Sequence, residues 1–229
     1  MSITIYQGNE HSLPPSDINI VIDVIRAFTV AHHAFLKGAS NILLVESVED
    51  ALLLKNKHPH YLLAGEVNGL AIKGFDLDNS PERFANTNLS EKTLVQKTTN
   101  GVKATLNSLN TKQLFVTGFS NARMTANYIR KLYKDIENLT IHIIASHPTG
   151  DDDLACAEFI RNILTGERDV ASETKRRIMN STAAKKFFDP QNLDFNREDI
   201  RLCTKELNHP FIMKVNKECK IPMIERIDI

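Results

Sequence analysis

Between residues 18 and 165 the chain alternates short apolar runs with segments of helical periodicity, and no other feature constrains its fold as tightly. Runs over 18–24, 41–45, 61–64, 93–96, 114–117 and 141–145 have strand length. The intervening segments read as helices. One runs from Ala27 to about Lys37, with Gly38 as its carboxyl cap. The next covers 48–57 behind Ser47, a good N-cap, with Glu49 and Asp50 at the positive end. Others follow from Gly101 to Leu109, over 121–136, and from Asp151 to about Leu164. Such alternation predicts an α/β fold: a three-layer α/β/α arrangement with helices on both faces of a largely parallel, mixed sheet. Beyond Gly166 the rhythm changes. Residues 172–188 and 196–207 read as helices, and 211–215 and 223–227 as edge strands. This end is expected to be a C-terminal α+β extension of a single domain spanning 1–229. A small subdomain over 166–229 is the alternative.

The bulk chemistry narrows the function classes. A chain of 229 residues can bury a large core without disulfides or metals. Its 28 basic and 28 acidic residues give a net charge of zero, so neither a nucleic-acid partner nor an anionic membrane surface is expected. Cys156, Cys203 and Cys219 are odd in number and form no CxxC pair, which points to a reducing, cytoplasmic setting. The amino terminus has neither the basic head nor the apolar core of a signal peptide, and no apolar run approaches the roughly 18 residues of a membrane span. A homodimer is compatible with this size, although no sequence feature requires one.

In open α/β sheets, ligands bind at the carboxyl ends of the strands. Here those ends carry Asp23, Glu66, Thr98-Thr99-Asn100-Gly101, Asn121 and Asp152-Asp153. Asp23 closes an apolar strand, where an unpartnered carboxylate is costly to bury. It either pairs with Arg26, caps the next helix, or binds a hard cation. Magnesium is typically held by one or two carboxylates together with water and phosphate. Glu66, after Gly65, is an exposed loop residue, a second metal ligand or a general base. The long connection over 67–90 has the length of a functional loop. Its GFDLDNSP string makes tight turns, and Asn79 and Ser80 offer donors to an anion. KTTNG joins a strand to a helix, where amides and hydroxyls form either an anion site or an ordinary cap. Asn121 presents the same choice. Acidic residues suit a first helical turn, but Asp151, Asp152 and Asp153 in succession repel one another, which a divalent cation would relieve. The chain has no Walker A loop, GxGxxG, HExxH or GxSxG, which argues against the nucleotide-binding, zinc-hydrolase and serine-hydrolase readings.

Taken in series, VIDVIRA, LLAGE with GFDLDNSP, KTTNG, GFSNA and the acidic pair before ACA resemble the 2-phosphosulfolactate phosphatase (ComB-like) family, in its order and near its spacing. The tail containing REDIRLC is similar as well, so the resemblance covers nearly the whole chain. It implies a magnesium-dependent phosphatase that hydrolyses 2-phospho-3-sulfolactate to 3-sulfolactate and phosphate, a step towards coenzyme M in methanogens. The alternatives are a phosphatase for another small phosphorylated hydroxy acid and a non-catalytic anion-binding homologue. By the resemblance and the residue chemistry together, Asp23, Glu66 and Asp153 are the expected catalytic residues. With Asp152 they are also the expected Mg2+ ligands. Arg26, Asn79, Ser80, Thr98, Thr99, Asn100, Gly101 and Asn121 are the expected substrate contacts. The chain departs from the family's usual pattern at Val67, commonly arginine, and at Asp78 and Glu158, where glycine is usual; its Asp152-Asp153 replaces a Glu-Asp pair.

Overall fold

The apolar runs form strands because both of their faces are covered. In β2 (Ser16–Ile22) the side chains of Ile18, Ile20 and Ile22 enter one core and Val21 enters another. A computed structural model describes residues 1–229. The other strands are β1 (Ser2–Gln7), β3 (Asn41–Leu44), β4 (Leu62–Val67), β5 (Leu70–Ala71), β6 (Thr93–Lys97), β7 (Thr111–Thr117), β8 (Thr140–Ala145), β9 (Phe211–Asn216) and β10 (Met223–Asp228). All ten join in one sheet of order β1-β8-β2-β7-β9-β10-β3-β6-β4-β5. β1-β8-β2-β7 is a parallel block, and β3-β6-β4 is another. The β9–β10 hairpin lies between them, antiparallel to its neighbours.

The helices are α1 (Ala27–Leu36), α2 (Val48–Lys57), α3 (Pro81–Ala85), α4 (Gly101–Leu106), α5 (Phe119–Leu132), α6 (Asp151–Thr165), α7 (Ala171–Asn180), α8 (Thr182–Lys185) and α9 (Arg197–Cys203). α1 is buried along almost its whole length, between Val21, Val116 and Ile144 of the first block and Ile42, Ala64 and Leu94 of the second. α5 and α6 cover the opposite face of the first block, and α2 the opposite face of the second. The fold is therefore α/β with helices on both faces of a mostly parallel mixed sheet, as expected. No helix is long and apolar enough to cross a membrane.

Several boundaries differ from the expectation for physical reasons. β9 and β10 are central strands, not edges: Phe211, Ile212 and Met213 are fully buried in succession, which requires cover on both faces. β1 was not anticipated, and it pairs with β8 along its whole length. The expected helix over 172–188 breaks where the Ser181 hydroxyl accepts from Ala184 N–H and starts α8 afresh. Ser47 caps α2 by accepting from Asp50 N–H at 3.0 Å, as the sequence indicates.

Three successive antiparallel steps make the two parallel blocks run in opposite senses. The ends of β2 and β6 nevertheless meet at the start of α1, where Gln96 donates to the Ala27 carbonyl at 3.0 Å. The polar residues that follow β2, β4, β6 and β8 meet there.

Candidate active site

A cavity of about 540 Å³ opens at these strand ends, and only three of its sixteen lining residues are hydrophobic. Asp23, Arg26, Glu66, Asn79, Thr99 and Asn100 line it, so six of the sequence-derived candidates share one wall system. Thr98, Gly101, Asp152 and Asp153 stand behind that wall as buried residues.

Asp23 follows β2 and caps α1: its Oδ1 accepts from Ala27 N–H at 2.9 Å. Burial is the main cause that raises its pKa to about 6. The Gly101 amide, close by, offsets part of that rise. That contact requires glycine, because a β-carbon at 101 would lie 2.6 Å from Asp23 Oδ2. Of the alternatives for Asp23, the pair with Arg26 does not form. Arg26 instead donates to Asp199 Oδ2 at 2.9 Å and to the Gly69 carbonyl at 2.9 Å. Its guanidinium lies 4.9 Å from the Phe187 ring centroid.

Glu66 is a brace. Its oxygens accept from Thr99 N–H, Thr99 Oγ1 and Gly69 N–H, which ties β4 and the following turn to the TTNG segment. Gly65 makes this possible: at φ 145° it approaches the Lys97 carbonyl so closely that a β-carbon would sit 1.8 Å from it. The TTNG donors are therefore already engaged. Thr99 serves Glu66, Gly101 packs against the Asp23 side chain, and Thr98 Oγ1 accepts from Val102 N–H. Of this run, Asn100 keeps a side-chain amide at the cavity, anchored through Oδ1 by Asn9 at 2.6 Å.

The acidic run divides in two. Asp151 pairs outward with Arg177. Asp153 is saturated by Val24 N–H, Ser146 Oγ and His147 N–H at 2.7–3.0 Å, and burial drives its pKa well above the usual carboxylate range. Asp152 differs: its Oδ1 is buried and has no hydrogen-bond partner. Burial, aided by the Asp23 charge, raises its pKa to about 7.

The four expected metal ligands do not converge as one set, since no group of three or more His, Cys, Asp or Glu side chains is arranged to hold an ion. Glu66 and Asp153 are occupied by protein donors. Asp152 nevertheless feels the charge of Asp23, and its orphaned buried oxygen, behind the wall that Asp23 lines, suits a cation such as magnesium, which needs only one or two carboxylates.

Two candidates are not at the cavity. Ser80 donates to Asp199 Oδ1 at 2.7 Å. Asn121 lies inside α5, where it donates to the Phe211 carbonyl at 3.0 Å and accepts from Thr125. The three unusual positions lie off the cavity as well. Val67 is exposed, Asp78 pairs with Arg83 at 3.2 Å, and Glu158 pairs with Arg177. Conversely, His147, Thr149, Thr182 and Lys186 line the cavity without having been anticipated. Asp199 was also missed, although a charged residue inside the short REDIRLC helix is a weak signal of a buried partner.

A family model described as "2-phosphosulpholactate phosphatase" matches residues 4–218. The chain is 56% identical over 230 residues to a Bacillus subtilis protein named "Probable 2-phosphosulfolactate phosphatase", covering 100% of both. Proteins of the same name from Clostridium novyi and Caldicellulosiruptor saccharolyticus are 36% and 41% identical, over 66% and 53% of this chain and 63% and 51% of theirs.

Proposed function

The chain belongs to the 2-phosphosulfolactate phosphatase family, and we propose that it hydrolyses 2-phospho-3-sulfolactate to 3-sulfolactate and inorganic phosphate with the aid of magnesium. The observation that supports this beyond family membership is a polar cavity lined by Asp23, with the unpartnered buried oxygen of Asp152 behind its wall. These two carboxylates hold the metal in this reading. When bound, magnesium supplies neutralisation of phosphoryl charge and Lewis-acid polarisation.

The chain's own residues do the rest. Asp23 is ionised above about pH 6 and is fixed by the Ala27 amide and by the close approach of Gly101, so it enters the reaction without reorganising. Glu66 holds the Thr99 turn, and through it the Asn100 amide, against the cavity. Asn79, whose buried Oδ1 has no protein partner, orients a substrate hydrogen bond. Asp153 fixes the start of the Val24–Arg26 segment through Val24 N–H and serves as a positioning residue. The unpaired cysteines, two of them buried, agree with a cytoplasmic enzyme.

The decisive assay is phosphate release from 2-phospho-3-sulfolactate with and without added magnesium. Release that requires the metal is the expected result, and Asp152→Asn is expected to abolish the magnesium-induced rise in Tm of the folded protein. No release under any metal condition would overturn the reading.

A further inference from the structure

We propose that Lys186, contributed by the segment beyond α6, recognises one of the two acidic groups, carboxylate or sulfonate, that the substrate carries besides its phosphoryl group. This rests on the proposed reaction and extends it to specificity. Lys186 lines the cavity and is half-buried. Its ammonium forms no ion pair; only the more distant charges of Arg26, Glu66, Asp152 and Asp23 act on it. The other buried cation, Arg26, is already committed to Asp199 and to the Gly69 carbonyl. Lys186 therefore holds the one lysine or arginine charge on this cavity with no protein partner, among lining residues that include Asp23 and Glu66.

Its position is fixed. Nζ lies 4.4 Å from the centroid of Phe195 and 5.8 Å from that of Phe187, and these two rings pack edge-on at 4.9 Å. Nζ also lies where a β-carbon on Gly69 would be only 2.9 Å away. A lysine whose stem is packed and whose head is held on an aromatic face loses little freedom on engaging an anion. Asp23 and Asp152 are expected to take the phosphoryl end through a metal, and a carboxylate or sulfonate elsewhere on a three-carbon skeleton needs a cation of its own. Lys186 is the group placed to supply it.

The test compares wild type with Lys186→Met, which keeps the stem, and with Lys186→Arg, which keeps the charge. The substrates are 2-phospho-3-sulfolactate and isopropyl phosphate, which has the same carbon skeleton without either acid. A hydrogen bond to a charged group corresponds to a roughly ten- to hundredfold effect. The ratio of kcat/KM for the two substrates is expected to fall by that factor in Lys186→Met, mainly through KM, and to recover substantially in Lys186→Arg. Equal losses on both substrates would show that Lys186 is only a counter-ion for the carboxylates and would overturn the inference. A second measurement does not need turnover: calorimetric binding of 3-sulfolactate should weaken by a similar factor in Lys186→Met. If phosphate release fails while this binding difference holds, the proposed reaction fails and the recognition role stands. If 3-sulfolactate binds wild type and variant alike, or neither, the recognition role fails.

Discussion

Replacing Gly101 by alanine isolates the position of Asp23 from its chemistry. A β-carbon at 101 would lie 2.6 Å from Asp23 Oδ2, 2.9 Å from Asp23 Cβ and 3.0 Å from Ala27 Cβ. The backbone itself tolerates alanine, since Gly101 is not among the residues with positive φ. Within a helix, alanine is favoured over glycine by up to about 1 kcal/mol. Overpacking a closed wall costs about 1–3 kcal/mol. The two terms nearly offset, leaving a net loss of roughly 0–2 kcal/mol in a protein that stays folded. Asp23 has no slack with which to absorb the contact, because its short side chain is held by Ala27 N–H at 2.9 Å. The carboxylate and the start of α4 must separate. Misplacing a reacting group by about 1 Å costs on the order of a hundredfold in rate, so a partial shift is expected to lower kcat/KM by roughly ten- to hundredfold. Phosphate-release kinetics read the activity, and urea unfolding of the same preparation reads the stability. A folded Gly101→Ala protein with kcat/KM within about threefold of wild type would refute the argument that the Asp23–Gly101 approach sets the catalytic geometry.

Three further outcomes are expected. Asp199→Ala leaves the Arg26 guanidinium buried without its carboxylate and should cost about 3–5 kcal/mol in urea unfolding; a loss under about 1 kcal/mol would contradict the pairing. Asn121→Ala removes a buried donor to the Phe211 carbonyl and should destabilise by about 1–3 kcal/mol. Because Asn121 does not reach the cavity, KM should stay within about threefold, and a larger rise would return it to the site. His32 is buried, and burial, helped by His33, holds its pKa down to about 3. An unfolded histidine protonates near pH 6.5, so its contribution is present above that pH and is lost as the pH falls. The loss amounts to about 2 kcal/mol by pH 5. The stability advantage of wild type over His32→Gln should shrink by that amount between pH 8 and pH 5, and a pH-independent difference would exclude the titration.

Sequence patterns carried the parts of this protein that are local. The runs over 18–24, 41–45 and 141–145 read as strands because burial on both faces leaves a continuous apolar signature. Asp23, Glu66 and Asn100 stand out in the sequence because polar residues at or directly after such strands fall at one end of a sheet. What remained illegible depends on contacts between distant segments. Lys186 reaches the cavity only because α8 packs its following aromatic residue, Phe187, against Arg26. Asp199 looks like a solvated helix charge until the fold places Arg26 and Ser80 against it. Asn121 shows the converse. Its position after a strand is that of a ligand contact, yet the Phe211 carbonyl of the inserted hairpin claims its amide. The donors of Thr99 in the TTNG turn are likewise legible as donors, but their acceptor, Glu66, lies on another strand.

The β9–β10 hairpin has a consequence for how the molecule assembles. It comes after both parallel blocks in the chain, yet it holds the middle of the sheet. Until residues 211–228 dock, β7 and β3 each present an open edge, the kind of surface that pairs with other chains. Each block can collapse from contacts formed earlier in the chain, whereas joining them waits for a long-range step of high contact order. During that interval the nascent molecule is two half-sheets with matching unsatisfied edges. Its partition between native closure and edge-to-edge aggregation is then governed by how fast a single hairpin reaches its slot.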